Sequence, residues 1–563
     1  MLSCSITRLL SCVGFLVSSS FSFNTQAMEP EIPTCIASDL VNTTSTDAVS
    51  STDNINNISI VIHPIFDEAK PEENNRLYRL ANKLHPDTHA KVIKDDLLFH
   101  EGDVFDEKKL VESERILRTR RYLNSAFVTS SVDCNNHKKV SVNVREVWTL
   151  VPQFSYSRSG GNSNYGFGLS DTNFLGLGKS LNIARTSTVL RNGDLLDYYD
   201  PNTGIFNSTL TIQYTNNDDG KSHAVALIKP FVALDNEWTG GISEESYTQE
   251  DTLYNAGEEA DRFNHQSTNQ SFFYGRKLPT ASRESIHRVV IGYSEAEHNF
   301  NAVGVAPDTS VFVPEARQFS YPWVEYQHIT DAYFEANNIQ QINRVEDINL
   351  GAQVRFRLGY TASKYNHYDK HLMYEAEYSQ GVQISEQQLL LASTSSSGFY
   401  DGDNIYNNII SGKVSYHWEN FKHSQFFVNL STANGVRLFS DLPLELGGDT
   451  GLRGYPIRYQ AGDKLQLMTI EQRFFGQKEW FALFHLGAAI FYDQGRVIGT
   501  SAIPQDQQGW LRDVGIGLRF SGTRTGNREE GTHNILHIDL AAPLDGSNDI
   551  EKLQWLVTVK NGF

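Results

Sequence analysis

The stretch Ile348-Asn349-Leu350-Gly351-Ala352-Gln353-Val354-Arg355-Phe356-Arg357-Leu358-Gly359-Tyr360 decides the fold. Its apolar side chains (Ile348, Leu350, Ala352, Val354, Phe356, Leu358 and Tyr360) alternate with Asn, Gly, Gln and two Arg. That is the two-residue period of an extended strand. A soluble sandwich alternates as well, but it rarely holds so long an apolar face against one that carries two arginines. A barrel wall with lipid outside and water inside requires that contrast. The pattern recurs in Ile410, Gly412, Val414, Tyr416 and Trp418 against Ser411, Lys413, Ser415 and His417. It recurs again in Val514, Ile516, Leu518 and Phe520 against Asp513, Gly515, Gly517 and Arg519. Stretches such as Asn216-Asn217-Asp218-Asp219-Gly220 supply turn chemistry between the strands. The region from 148 to 563 therefore reads as a transmembrane antiparallel β-barrel, and the chain as mainly β. Its last strand sets Trp555, Val557, Val559 and Phe563 on one face, so a lipid-facing aromatic is expected at Phe563.

Composition agrees. Only 4 Met stand beside 25 Tyr, 32 Phe and 41 Gly, a balance that favours strands and turns. Residues 1–27 read as a secretory signal peptide: Arg8 precedes an apolar or small run from Leu9 to Phe23, and Thr25-Gln26-Ala27 offers a cleavage site. The net charge of −19, with no basic cluster to offset it, argues against nucleic acid as a partner. Cys4 and Cys12 leave with the signal, and Cys35 and Cys134 remain for an oxidising compartment. A disulfide between them and two free thiols fit the sequence equally well.

Residues 28–57 are rich in Ser, Thr, Asn and Asp and read as a flexible linker. Residues 58–147 read as a small α/β domain. Ile58, Ile60 and Ile62 mark a strand, and Leu77, Leu80, Ala81 and Leu84 are spaced as in a helix. A second, short helix starts near Thr88, and a third starts at Asp106 and ends on Arg118, Arg120 and Arg121. Two strands near Ala126–Asp133 and Lys139–Val147 complete the order β-α-α-α-β-β, or β-α-α-β-β without the short helix.

Several of these stretches resemble the BamA/TamA family of outer-membrane assembly barrels. Leu446-Gly447-Gly448-Asp449-Thr450-Gly451-Leu452-Arg453-Gly454-Tyr455 is similar to the family's arginine-glycine-aromatic motif on a loop folded into the lumen. Asp171-Thr172-Asn173-Phe174-Leu175-Gly176-Leu177-Gly178 resembles its second-strand turn. Phe491-Tyr492-Asp493-Gln494-Gly495, Gly515 to Arg519, and Ile538-Asp539-Leu540-Ala541 follow the order of its closing strands. Leu98 to Phe105 and Leu110 to Leu117 look like its polypeptide-transport-associated (POTRA) domain, with room here for a single copy.

The resemblance implies about sixteen strands in residues 148–563, an outer-membrane location and a periplasmic 58–147 domain. It implies a luminal loop motif of Arg453, Gly454 and Tyr455, with Glu471 and Asp493 as the acidic partners of Arg453. A guanidinium withdrawn from water needs such carboxylates, and its fixed donors suit bidentate pairing. A moving contact and a fixed pin both predict this pairing. The partners implied are outer-membrane lipids and unfolded outer-membrane or secreted client polypeptides, with periplasmic chaperones or accessory proteins as further candidates. Clients would bind the edge of the POTRA-like sheet and pass through a lateral gate between the first strand (near 151–157) and the last (554–563). The competing readings are a passive outer-membrane pore or structural barrel, and an exporter of one specific protein of the two-partner-secretion kind. No Gly-x-Ser-x-Gly, metal-ligand cluster or nucleophile–base pattern occurs in the sequence, so no catalytic residue, metal or cofactor is assigned. Gly178-Lys179-Ser180 resembles the end of a phosphate loop, but Asn173 stands where that loop needs its upstream Gly.

Overall fold

The computed structural model describes residues 54–132, 138–188, 191–282, 284–303, 312–361, 371–525, 534–545, 550–560 and 562–563. The signal segment, nearly all of the linker, Cys35 and Cys134 lie outside the described residues.

The first unit is built on three strands, β1 (Ile55–His63), β2 (Leu123–Val132) and β3 (Lys138–Glu146), in the order β1-β3-β2. β3 runs parallel to β1 and antiparallel to β2. Helices α1 (Arg76–Leu84), α2 (Ala90–Asp95) and α3 (Glu107–Thr119) fall between β1 and β2, so the short second helix is present. Val140, Val142 and Val144 alternate along β3 onto one face and pack with Ile93, Leu110 and Leu117 from the helices. The Asp106 carboxylate accepts from Lys108 N (3.1 Å) and caps α3.

From Leu150 onward the described residues form a closed barrel of twenty strands. Each barrel strand pairs with the next in sequence, and the last (Gln554–Lys560) returns to the first (Leu150–Ser159). The expected count of about sixteen is therefore corrected to twenty. The excess comes from the first part, where six strands of eight to ten residues occupy Leu150 to Lys229. Tight turns end them early, as where Asn217 pairs with Gly220. Such lengths sit at the minimum that crosses a bilayer at a tilt.

The stretch from Ile348 to Tyr360 is also not one strand. Val345–Asn349 pairs with Tyr333–Asn337 in a hairpin outside the wall, and the barrel strand begins at Gln353. The break is held by Leu350 N donating to Ala332 O (3.0 Å) and Gly351 N to Asn349 Oδ1 (2.8 Å). Elsewhere the alternation appears as read. Ile410, Val414, Trp418, Val514, Ile516 and Leu518 are exposed, whereas Ser415, His417, Asp513 and Arg519 are buried. An apolar exterior around a charged interior is the construction of a membrane barrel.

The α/β unit sits against one end of this barrel. Only Val147, Trp148 and Thr149 separate β3 from the first barrel strand, and Trp148 N donates to Arg524 O (2.7 Å). The turn at 172–179 grips the start of α2: Asn173 Nδ2 donates to Thr88 Oγ1 (2.8 Å) and His89 N to Gly176 O (2.9 Å). Arg118 of α3 makes a two-pronged bond to Asp347 (2.9 and 2.6 Å), and Leu234 N donates to Glu112 Oε1 (2.6 Å). Burial raises the Glu112 carboxyl above the ordinary glutamate value.

Candidate functional site

The connection from 437 to 463 leaves the strand Ser424–Val436, folds inward and returns to Lys464–Trp480. Two short strands, Leu444–Leu446 and Gln460–Gly462, pair across its base. Its apolar residues Leu446, Leu452, Tyr455 and Tyr459 form a buried cluster with Val497 and Leu511 of the wall. Leu465 and Leu467 belong to that packing, which is why apolar side chains share the inward parity of Glu471. At the loop's start Arg317 pairs with Asp441 in a bidentate bond (2.9 and 2.7 Å).

This loop carries Arg453 against the inner face of the strand it returns to and of that strand's next neighbour, Phe484–Ile498. Arg453 Nε and Nη2 donate to the two oxygens of Asp493 (2.7 and 3.0 Å), and Nη1 donates to Glu471 Oε1 (2.9 Å). The guanidinium carbon lies 3.4 Å from the Phe491 ring centroid, so both its edge and its face are occupied. Gly454 N donates to Asp513 Oδ2 (3.0 Å), and a Cβ at Gly454 would stand 2.8 Å from the Asp513 Cβ. The Gly is therefore needed for close approach to the wall. The Tyr455 hydroxyl lies 2.8 Å from the carbonyl oxygens of both Arg512 and Asp545. Arg453, Gly454, Tyr455, Glu471 and Asp493, the residues the resemblance implied, thus lie together.

The cluster extends further than expected. Glu471 also accepts from Arg473 Nε (2.8 Å), and Arg473 packs 3.6 Å over the Phe427 ring. Asp539 stands 4.0 Å from Arg453 and accepts from Arg519 Nη1 (2.6 Å). Arg473, Arg519 and Asp539 were not singled out, although strand parity places each on the inner face. A charge at an inward position of a strand was the available signal.

The last strand divides the remaining residues. Trp555 and Val559 face outward, and Val557 pairs with Arg158 of the first strand. Among the described residues that is the one pairing in register between these two strands, whereas the last strand pairs with its other neighbour from Ile535↔Lys560 to Ala541↔Gln554. Arg158 and Tyr156 lie over the Trp555 ring at 5.0 and 6.0 Å.

Phe563 is a correction. It does not face lipid but turns into the base of the lumen. Its ring lies 5.2 Å from that of Phe475, beside Ile342 and Ile535. Its N–H donates to Gln340 O (2.7 Å). Among the described residues the ladder with the neighbouring strand ends at Ile535↔Lys560, short of Phe563.

Among the described residues, no three His, Cys, Asp or Glu side chains are grouped as a metal site. The lumen is largely occupied by the 437–463 loop and by the Ile339–Ile342 segment. A cavity of about 610 Å³ lies beside Arg355, Glu377, Ser395 and Lys413.

Fold and site together define an integral membrane β-barrel with a plugged, charge-lined interior. Among solved structures it is similar to BamA from Haemophilus ducreyi lacking POTRA domains 1–3, with 13% identity over 90% of this chain and 85% of that one and a TM-score of 0.38. It is also similar to CdiB from Acinetobacter baumannii (14%, 90% and 73%, TM-score 0.43) and CdiB from Escherichia coli (12%, 91% and 77%, TM-score 0.48). No family model and no curated protein matches the chain.

Proposed function

We propose that this chain is an outer-membrane barrel that assists the insertion, assembly or translocation of client polypeptides. Residues 55–146 would stand in the periplasm as a POTRA-like domain and offer the edge strands β1 and β2 to extended clients. The observation that carries the reading is the seam, where Val557↔Arg158 is the one pairing of the first and last strands among the described residues. Unpaired N–H and C=O groups along two adjacent edges are a template for a further strand. In this reading a client strand adds at the seam, and side chains such as Trp555 and Arg158 are what it displaces.

The luminal cluster would steady the wall while the seam works. The loop that carries Arg453 also touches the turn that follows the seam's first strand: a Cβ at Gly160 would stand 2.1 Å from Ile457 N. A change at the seam's tip is therefore felt by the loop that Asp493 and Glu471 hold. A passive pore is the weaker reading, because the 437–463 loop fills one end of the lumen and Ile342 and Phe563 fill the other.

A seam lock tests the proposal. Residues opposite one another in an antiparallel pair are spaced to accept a disulfide, so Arg158→Cys with Val557→Cys closes the seam under oxidation. In cells depleted of the native protein, the reduced variant should restore the levels of other outer-membrane barrels or of a surface protein, and the oxidised one should not. Equal restoration by both would end the lateral reading. Unchanged envelope proteins with altered solute uptake on depletion would favour the pore.

A further inference from the structure

Helix α1 turns its apolar stripe outward. Leu77, Leu80 and Leu84 lie one above another at helical spacing, with exposures of 70%, 50% and 65%, and no residue of α1 is buried. The helix also carries Arg76, Arg79 and Lys83, all exposed, and no acid, within a chain of net charge −19. A helix placed against water alone gains nothing from three exposed leucines, and such a patch marks a contact surface.

Its position indicates what covers it. The Tyr78 hydroxyl donates to Phe481 O in the turn between the barrel strands Lys464–Trp480 and Phe484–Ile498. Phe66 stacks on Tyr78 at 4.1 Å, and Glu73 receives Arg524 Nη2 at 3.3 Å, so the helix is fixed to the barrel rim. The turn itself is apolar: Phe481 is 69% exposed, and Trp480 and Leu483 are exposed beside it. Rings run from Trp480 to Phe481 (6.3 Å), Phe484 (6.4 Å) and Phe520 (5.6 Å). Phe520 continues the outward row of Ile516 and Leu518. The leucine stripe is thus attached to the end of the barrel's apolar exterior, where a membrane protein carries its aromatic belt.

We infer that α1 is an interfacial helix lying on the anionic phospholipid surface at the rim of the barrel. Leu77, Leu80 and Leu84 enter the acyl boundary, and Arg76, Arg79 and Lys83 reach the phosphates. The inference rests on the barrel standing in a membrane, and it gives the α/β unit a lipid contact of its own.

The test uses the full chain with Cys35→Ser and Cys134→Ser, reconstituted in vesicles of phosphatidylethanolamine and phosphatidylglycerol that contain acyl-chain-labelled quencher lipid. A fluorophore is attached at Leu80→Cys, at Ile516→Cys on the barrel exterior, or at Val104→Cys beside the barrel-distal start of β1. The Leu80→Cys probe should lose most of its emission, as Ile516→Cys does, while Val104→Cys keeps its own. Quenching at Ile516→Cys without quenching at Leu80→Cys overturns the inference and leaves the barrel reading intact. No quenching at Ile516→Cys removes both. Shielding of Leu80→Cys that grows with protein concentration in detergent assigns the stripe to a second copy and also overturns the inference.

Discussion

Arg453 and Arg473 are joined through one carboxylate: Glu471 Oε1 accepts from the first at 2.9 Å and Oε2 from the second at 2.8 Å. Arg453 comes from the folded-in loop. Arg473 stands on the wall and reaches the base, with Nη1 3.3 Å from Ile339 O and Nη2 3.4 Å from the Phe563 oxygen. Glu471 is therefore the hinge point between the two plugs of the lumen.

Glu471→Gln keeps the shape of that residue and removes the charge that both guanidiniums share. Breaking one partner of a buried ion pair costs about 3–5 kcal/mol, which should appear as a lower urea midpoint for the detergent-solubilised barrel. Adding Arg453→Ala to Glu471→Gln should cost less than the two changes measured apart, because the partners are already separated. An unchanged midpoint in Glu471→Gln would refute the shared-carboxylate account.

Phe563→Ala should open the base. Loss of a half-buried ring costs about 1–3 kcal/mol, and hydrogen exchange should quicken around Phe475 and Ile342, its neighbours in the cluster. A lipid-facing Phe at the same position would leave exchange inside the lumen untouched, so the measurement separates the two placements.

Gly176→Ala should loosen the α/β unit from the barrel. Gly176 has φ +71°, and a Cβ there would stand 2.2 Å from Asp87 O, so backbone must shift. The strain and the overpacking together cost about 1–3 kcal/mol. Faster proteolysis within residues 55–146, with the barrel's own resistance retained, is the expected readout.

Acid should weaken the same joint. Burial alone would raise the Glu146 carboxyl, but bonds from His85 and Thr88 outweigh it and hold the group below the ordinary glutamate value. Thr88 N donates to Glu146 Oε1 at 2.6 Å, and Thr88 in turn receives Asn173 of the barrel. A depressed carboxylate contributes stability that is complete above the unfolded value of about 4.3 and fades as pH falls through the lower folded value. Near-ultraviolet dichroism of Trp148, whose ring lies 6.2 Å from that of His85, should report a transition below that pH. Glu146→Gln should flatten it.

Much of this was legible in the sequence, for reasons that can be named. Alternation exposes the wall because one face of each strand meets a single solvent, and Asp493 was placed inward by parity alone. The arginine of the 446–455 stretch called for acids, and the two proposed are its partners. What was illegible depends on pairing partners remote in sequence. Phe563 has outward parity, but among the described residues the ladder with the neighbouring strand ends at Ile535↔Lys560, short of it. Ile348 has the right period for the wall, yet it pairs with Phe334 in a separate hairpin. The strand count implied by the resemblance failed because this barrel opens with six short strands before strands of up to 20 residues, a division that motif resemblance does not report. The leucines of α1 have the period of a core helix, and periodicity does not say which solvent that face meets.

The three-residue passage from β3 into the first barrel strand is too short to absorb motion. Val147 is buried, Trp148 is bonded to Arg524, and Thr149 is buried as well. The first strand and the α/β unit are therefore joined closely where the chain enters the wall, and the unit is also bonded to the connections at Asn173, Leu234, Asp347 and Phe481. Under the proposed lateral gate, parting the first strand from the last would strain these joints, and a ligand that fixed the unit would bias the parting. By linkage that bias would run equally in both directions, so under the same proposal occupancy of the α/β unit and opening of the seam would be two sides of one coupling.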